Sequence, residues 1–337
     1  MHEHDLDDPD DLLPLPGETG DQDGVTDEVG GALVLVARRD GDADDDPQRM
    51  LDPYAALSYP AGEPEGVPTA SDRLRVGHAH MAGGQINDAL HEYREAVRGA
   101  DTSDDSVANR VTLGDAYAYS GQALNAFRQY RRAIKTSPRK AEPHFSLAEL
   151  FQRYGKLQSA IVEFRKAITY APTNAYYRYK LGDALALSGD MEAAISELEE
   201  ATHLKPQDGF YHFWLADLHG RAGNDEEAIR ELQQATIFSP YDAYYNVRLG
   251  ALYRRTNRGT DAIAALRQAV QMAPANGAYH CFLADLYSEA RLDSRSMQHY
   301  QLAGPLDDYD SETLRRLRRL SGIEDDELLE LDIPDEG

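Results

Sequence analysis

The sequence is short of the residues that most kinds of chemical site require. It contains one cysteine, Cys281, in 337 residues, which excludes a disulfide framework and a zinc site built from several cysteines. No apolar run approaches the roughly 18 residues that a membrane-spanning helix needs. The first residues, MHEHDLDDPDD, are acidic where a signal peptide is basic. We therefore expect a cytoplasmic protein that does not insert into membranes.

Positive charge is also scarce, with 34 Lys and Arg against 59 Asp and Glu and a formal net charge of -25. Because nucleic acids and anionic membranes attract positively charged surfaces, we expect neither as a partner. The acidic excess lies in two segments, 1–69 and 322–337, which are predicted to be an acidic, disordered N-terminal segment and an acidic C-terminal tail. As an alternative, three apolar islands of the first segment order on a partner or on the body: 12–15, 32–37 and 50–59.

Residue patterns typical of catalysis or metal binding are missing as well. Four histidines lack the cysteine or paired-histidine context of a metal site: His2, His4, His78 and His80. The string DGDADDD at 40–46 lacks the glycine and the final carboxylate of a calcium-binding loop. Cys281 is expected to be a small buried apolar residue. We predict no enzyme activity, no metal and no cofactor.

A repeat with a period of 34 residues occupies the middle of the chain. A leucine recurs without insertion, each time followed by glycine or alanine, at Leu113, Leu147, Leu181, Leu215, Leu249 and Leu283. Two alanine columns follow in the same register, and then a proline column at Pro138, Pro172, Pro206, Pro240 and Pro274. Apolar residues spaced three and four apart predict two antiparallel helices in each period. Residues suited to a left-handed turn separate them, at Gly84, Gly121, Gly155, Gly189, Gly223 and Asn257.

Together these columns resemble the tetratricopeptide repeat (TPR) family. The resemblance covers 70–310 and implies an all-α, right-handed solenoid of about seven helix-turn-helix repeats, at 70–106, 107–140, 141–174, 175–208, 209–242, 243–276 and 277–310. The last repeat departs from the pattern, since Arg291 replaces the turn glycine. Residues 311–321 are predicted to form a capping helix that buries Leu314, Leu317 and Leu320.

By this resemblance, the first helix of each repeat lines a concave groove that binds an extended peptide or an amphipathic helix. The groove positions of the fourth to sixth repeats bring aromatic and charged residues together. We predict that these form the partner-binding groove: Tyr176, Tyr179, Lys180, Asp183, Phe210, Phe213, Trp214, Asp217 and Tyr244. The alternative is that several of the aromatic side chains pack between neighbouring repeats.

An acidic residue stands two places after the column leucine in five repeats, at Asp115, Glu149, Asp183, Asp217 and Asp285. TPR proteins that bind chaperone tails use lysine and asparagine to clamp a carboxylate, so acids at this position argue against such a ligand. We interpret this acidic column as local i,i+4 ion pairs, such as Asp217 with Arg221. A groove for a basic peptide is the alternative.

Charge is also unequal between neighbouring repeats. Twelve bases and three acids lie between Arg128 and Lys180, whereas 12 acids and three bases lie between Asp183 and Thr236. The candidate basic patch comprises Arg128, Arg131, Arg132, Lys135, Arg139, Lys140, Arg165 and Lys166. It is interpreted either as a solvated face or as a dock for an acidic segment, from the chain's own tails or from the acidic repeats of a second copy.

These features predict a non-enzymatic adaptor or scaffold that binds protein or peptide partners through its groove. Two alternatives stay open. One is a structural subunit that self-assembles through oppositely charged repeats, and the other is an accessory or regulatory subunit of an enzyme complex.

Overall fold

A computed structural model describes residues 68–100 and 102–323. Within these ranges every regular element is an α-helix, in agreement with the all-α class predicted from the periodicity. His2, His4, the string at 40–46 and most of both acidic tails lie outside the described residues. Among the described helices, none combines the length and the hydropathy needed to cross a membrane.

The helices divide into two compact units, one ending at Tyr170 and one beginning at Ala171. The first unit holds three helix pairs, in which each odd-numbered helix packs on the even-numbered helix that follows. Its helices are α1 (Ala70–Ala82), α2 (Ile86–Arg98), α3 (Ser103–Tyr119), α4 (Ala123–Thr136), α5 (Ala141–Arg153) and α6 (Leu157–Tyr170). Neighbouring pairs contact each other through α2 with α3 and α4 with α5.

The second unit holds four further pairs and a final helix. Its helices are α7 (Ala175–Leu187), α8 (Met191–Leu204), α9 (Gly209–Arg221), α10 (Asp225–Phe238), α11 (Ala243–Arg255), α12 (Gly259–Met272), α13 (Gly277–Glu289), α14 (Asp293–Ala303) and α15 (Asp308–Leu320). The second helix of one pair packs on the first helix of the next, as α8 does on α9. We call the surface lined by α7, α9, α11 and α13 the first-helix surface.

The first helices of this unit begin at a repeated polar residue. Each cap residue accepts a hydrogen bond from a backbone N–H in the first turn, at 2.9–3.2 Å, and the four caps are Asn174, Asp208, Asp242 and Asn276. Such a bond satisfies a donor that the start of a helix otherwise leaves without a partner. The column prolines lie two residues before these caps, between helices, where they remove no helical hydrogen bond.

The turns inside the helix pairs adopt the left-handed geometry that the sequence predicts. The φ angles of the turn glycines lie between 70° and 93°, at Gly84, Gly121, Gly155, Gly189 and Gly223. Asn257 follows them with φ of 58°. Arg291 holds φ of 55°, which costs a residue with a side chain roughly 1 kcal/mol. The last pair therefore keeps the turn although its glycine is lost.

The column leucines and the small residues beside them form the core between paired helices. Leu181 is 1% exposed, and Ala194 and Ala201 are fully buried. A Cβ at Gly182 would lie 2.2 Å from Leu198 Cδ2, so only glycine lets the two helices approach this closely without moving that leucine. The pairing of leucine with a small residue thus sets the distance between the helices of a pair.

The final helix, α15, packs on the first-helix surface. It begins at Asp308, three residues before the predicted start, and contacts α13 and α11. Leu314 and Leu317 are 5% and 1% exposed, and Leu320 packs partly buried against the same core. The sequence shows that α15 has an apolar face, whereas the structure shows which helices cover that face.

Candidate functional site

Six aromatic side chains from α7, α9 and α11 meet on the first-helix surface. We call them the aromatic cluster: Tyr176, Tyr179, Phe210, Phe213, Trp214 and Tyr244. The ring of Tyr179 lies at its centre, with centroids 5.0 Å from Phe210, 5.4 Å from Trp214 and 5.7 Å from Tyr176. Edge and tilted contacts of this kind stabilise aromatic pairs beyond the area they bury. The structure therefore brings together the aromatic residues that the sequence predicts for the groove.

Phe213 lies beneath the other members of the cluster. It is 8% exposed, and its ring stacks on Tyr245 with centroids 4.9 Å apart. Tyr244 packs 5.8 Å from the same ring. The other five members of the cluster are only partly buried. Phe213 thus supports the cluster from below and packs between repeats, as the alternative interpretation expects for some of these residues.

Two charged members of the predicted groove, Lys180 and Asp183, lie on α7 beside the aromatic cluster and are partly buried. Asp217, on α9, binds Arg248 of the next repeat, with Oδ1 2.6 Å from the guanidinium. The predicted i,i+4 pair of Asp217 with Arg221 is present but longer, at 3.8 Å. The principal partner of Asp217 is therefore an arginine 31 residues away, which a local spacing rule does not identify.

Arg248 joins the aromatic and acidic parts of the site. Its guanidinium lies 5.3 Å from the ring centroid of Phe213 and 5.8 Å from that of Tyr244, in cation–π contact. Burial disfavours its charged form, but Asp217 and Tyr244 outweigh burial and raise the pKa of Arg248. Arg248 is not among the predicted groove residues, although it immediately precedes column leucine Leu249, at the position that Lys180 and Trp214 occupy in their repeats.

A cleft of about 140 Å³ lies next to the cluster, between α9, α11 and the end of α15. Its lining combines the ring of Phe213, the side chains of Asp217 and Arg248, and Leu320 of α15. Arg255 also lines it and pairs with Asp225. The cleft is thus partly apolar and partly charged, and α15 forms one of its walls.

An acidic residue of the same column holds α15. Arg318 donates from Nε to Asp285 Oδ2 at 3.0 Å and from the terminal nitrogen to Oδ1 at 3.2 Å, a bidentate pair. Asp285 is 4% exposed in its side chain and also accepts from the Tyr300 hydroxyl at 2.6 Å. Arg254 fixes the end of the helix through Ser321, at 2.9 Å to the hydroxyl. Burial opposes the charge on Arg318, but Asp285 raises the pKa of Arg318 above its usual value.

A second set of polar contacts joins the two helices of most repeats. A residue near the start of the first helix binds one 19 positions later on the second helix, in Arg73–Glu92, His144–Glu163, Arg178–Glu197 and His212–Glu231 at 2.5–3.1 Å. Both sides of these pairs recur with the 34-residue period in the third to fifth repeats. We call these pairs the ladder. None of them was predicted from the sequence, and the recurring spacing of 19 residues is the signal that identifies them.

In each histidine of this ladder, both ring nitrogens contact a partner. In His144, Nδ1 lies 2.5 Å from Glu163 Oε2 and Nε2 lies 3.0 Å from the Pro138 carbonyl. Burial opposes ionisation of Glu163, yet hydrogen bonds from His144 and Lys166 outweigh it and lower the pKa of that carboxyl. The contact with Glu163 holds the helix pair of one repeat together, and the contact with the Pro138 carbonyl ties that pair to the end of the preceding repeat.

The basic patch lies on α4, α6 and the loop after α4, all within the first unit. Five of its members are exposed and form no ion pair with any described residue: Arg128, Arg132, Lys135, Arg139 and Arg165. Arg131, Lys140 and Lys166 are partly buried. Lys166 binds Glu163 at 2.8 Å, and Lys140 approaches Asp104 at 3.9 Å. The role of the patch as a dock for an acidic segment stays a prediction.

The other residues considered in the sequence either contact a neighbouring side chain or are buried. His78 packs edge-on against Tyr93, and burial lowers the pKa of His78. His80 Nδ1 contacts Gln85 Oε1 at 2.5 Å. Cys281 is buried, as predicted, and burial raises the pKa of its thiol. Within the described part of the chain, no group of three or more His, Cys, Asp or Glu side chains is arranged to hold a metal ion.

Comparison with known proteins identifies the repeat. Two family models described as tetratricopeptide repeat match the chain, one at 111–175, 145–209 and 179–243 and the other at 243–276. A search of curated proteins finds no match to this sequence.

Several solved structures share the fold. A tetratricopeptide repeat protein from Parabacteroides merdae superimposes with a TM-score of 0.51 at 15% identity, over 75% of this chain and 98% of that one. PilF of Pseudomonas aeruginosa also gives a TM-score of 0.51, at 18% identity, over 64% of this chain and 98% of its own. The helix pairs, their period and the family matches agree on an all-α solenoid of such repeats. The chain belongs to the tetratricopeptide repeat family.

Proposed function

We propose that this chain is a non-enzymatic adaptor that binds a protein partner through the aromatic cluster on α7, α9 and α11. Tetratricopeptide repeats in general bind proteins or peptides. The observation that carries the more specific proposal is the partial exposure of five rings on three successive first helices. Four of them form a connected set on α7 and α9, and Tyr244 of α11 joins this set through Phe213. Large aromatic side chains of this kind supply most of the binding energy in protein interfaces.

The surroundings of the cluster support recognition of a shaped and partly charged segment. Phe213 packs on Trp214 and Tyr244, and Arg248, held by Asp217, packs on Phe213 and Tyr244. Rings held in this way lose little conformational entropy on binding. Lys180 and Asp183 provide polar groups at the edge. This combination of an apolar centre and a polar rim is the usual anatomy of a protein interface.

The test is a selection of binding peptides on the immobilised full chain, followed by affinity measurements with two variants. Trp214→Ala removes a partly exposed ring that contacts Tyr179, Phe210 and Phe213, and is expected to weaken binding of the selected peptides about tenfold or more. Tyr241→Ala is the matched control, because Tyr241 is 92% exposed and lies in the loop before α11. Circular dichroism verifies that both variants keep the helical content.

If the selected peptides bind Trp214→Ala as tightly as the wild-type chain, the aromatic cluster is not the binding site. Equal losses in both variants would likewise contradict the proposal, since Tyr241 lies outside the cluster.

A further inference from the structure

The first-helix surface already contacts one amphipathic helix, which belongs to the chain itself. α15 presents Leu314, Leu317 and Leu320 to α11 and α13 and carries arginines in its last turns. Its leucines enter the same hydrophobic core as the residues of α11 and α13. Packing of an amphipathic helix into a groove through residues three and four apart is a recurring mode of protein recognition. α15 therefore shows that this surface can bind an amphipathic helix with leucines on its buried face and arginines near its end.

The polar part of that contact is an arginine on the acidic column. Arg318 of α15 binds Asp285 through two hydrogen bonds, and Asp285 is almost fully buried beneath it. Asp217 and Asp183 occupy the equivalent positions two and three repeats earlier, at spacings of 68 and 102 residues. On α13, the carboxylate at this position holds the arginine of α15. The register of the repeat places an equivalent carboxylate on α9 and on α7.

The neighbouring stretch of the surface already shows the same contact. Arg248 binds Asp217 at 2.6 Å while its guanidinium lies against the rings of Phe213 and Tyr244. An arginine held between an aspartate and aromatic faces is thus part of the site itself. Because arginine combines bidentate hydrogen bonding with stacking, lysine is a poorer match to such a position.

The position of the site agrees with these contacts. The site is continuous with the contact surface of α15, since Leu320 and Phe213 line one cleft.

We infer that the partner of the aromatic cluster is an arginine-bearing amphipathic helix, which presents leucine and arginine in the spacing that α15 presents to α11 and α13. This inference rests on the proposed function and specifies its partner. The apolar side chains of the helix contact Tyr179 and Trp214, and its arginines lie near the carboxylates of Asp183 and Asp217.

The probe is a labelled synthetic peptide with the sequence of residues 307–323, DDYDSETLRRLRRLSGI, titrated with the full chain to about 1 mM. We expect saturable binding that weakens tenfold or more when the four arginines of the peptide become glutamine. Trp214→Ala and the isosteric Asp183→Asn in the chain are each expected to weaken binding by a similar factor. Asp285→Asn, which acts on the contact with α15, is the control and is expected to change the affinity less than threefold.

Two results would overturn the inference. One is the absence of binding to the folded wild-type chain. The other is binding that ignores Trp214→Ala and Asp183→Asn but responds to Asp285→Asn, because the peptide would then be exchanging with α15. Failure of the proposed function gives a different result from these two. In that case, peptides selected without regard to charge would bind Trp214→Ala as tightly as they bind the wild-type chain.

Discussion

Two stretches of the first-helix surface differ in whether a helix covers them. On α13, every residue from Gly277 to Tyr287 is buried, because α12, α14 and α15 pack around it. On α7, Tyr176, Tyr179 and Lys180 are only partly buried. Both stretches are built from the same repeated unit. The comparison therefore shows that this unit forms a structural contact surface where α15 covers it, and an exposed aromatic surface where no described helix covers it.

The difference between covered and exposed side chains also separates effects on folding stability from effects on binding affinity. Side chains beneath α15 contribute to folding, since their apolar area leaves water when the chain folds. Side chains of the aromatic cluster keep part of that area exposed, and the proposed partner would cover it. Substitutions under α15 should therefore change the free energy of unfolding, whereas substitutions in the cluster should mainly change affinity.

The largest effect is expected from Leu317→Ala, which truncates the most buried leucine of α15. The cavity and the lost contacts are expected to lower the free energy of unfolding by about 2–5 kcal/mol in urea denaturation. Leu302→Ala is the control, because Leu302 is 58% exposed on α14. A substitution at such a surface position is expected to cost about 0.5 kcal/mol or less. Equal stabilities of the two variants would mean that α15 does not pack on α11 and α13.

A smaller loss is expected from Asp285→Asn, which removes the charge that Arg318 binds. Since Asp285 is 4% exposed and Arg318 is 22% exposed in their side chains, the partly buried arginine loses its counter-charge, at an expected cost of about 1–3 kcal/mol. Glu312→Gln disrupts the Arg315–Glu312 pair on the same helix, where both side chains are 51% exposed. That pair is expected to contribute about 0.5 kcal/mol or less. Denaturation at two salt concentrations separates the two, because only the exposed pair is strongly screened.

Much of this fold follows from the sequence because one period repeats. The spacing of 34 fixes the helix pairs, and each leucine column with its small neighbour fixes how closely the helices approach. The turn residues could be identified since glycine and asparagine tolerate the left-handed region that Gly189 and Asn257 occupy. Local rules of this kind need no knowledge of distant contacts.

The contacts that the sequence analysis missed join residues far apart in the chain. The leucines of α15 indicate an apolar face, but not that α11 and α13 would receive it. The Asp217–Arg248 pair spans 31 residues, so the i,i+4 rule found only the longer contact with Arg221. Groove positions taken from a family pattern likewise placed Phe213 on the surface, whereas the stacking of Tyr245 buries it.

The smallest effect is a difference in pH dependence between the α9–α10 pair, on the open stretch, and the α13–α14 pair, on the covered one. His212 on α9 lies 2.7 Å from Glu231 Oε2 and 3.1 Å from the Pro206 carbonyl. Both partners accept hydrogen bonds, so the doubly protonated ring is favoured, and the bond to Glu231 raises the pKa of His212 against the effect of burial. Its contribution to stability is complete below the ordinary histidine pKa of about 6.5. It is lost as pH rises through the folded value.

In the last repeat, the group with a shifted pKa is His299 on α14, and its shift has the opposite sense. His280 Nδ1 lies 3.0 Å from His299 Nδ1, and its Nε2 lies 3.1 Å from the Pro274 carbonyl oxygen. Burial, followed by the charges of His280 and Arg267, lowers the pKa of His299. Stability from this pair is present above about pH 6.5 and is lost as pH falls through the folded value of His299.

Urea denaturation of His212→Gln and His299→Gln between about pH 5 and 8 measures both effects. The stability difference between wild type and His212→Gln is expected to shrink as pH rises, and that between wild type and His299→Gln to shrink as pH falls. Parallel trends in the two variants would contradict the assignment. Opposite trends would agree with the two contacts, in which the second-helix partner is Glu231 in one repeat and His299 in the other, while the first-helix histidine and its proline carbonyl are the same in both.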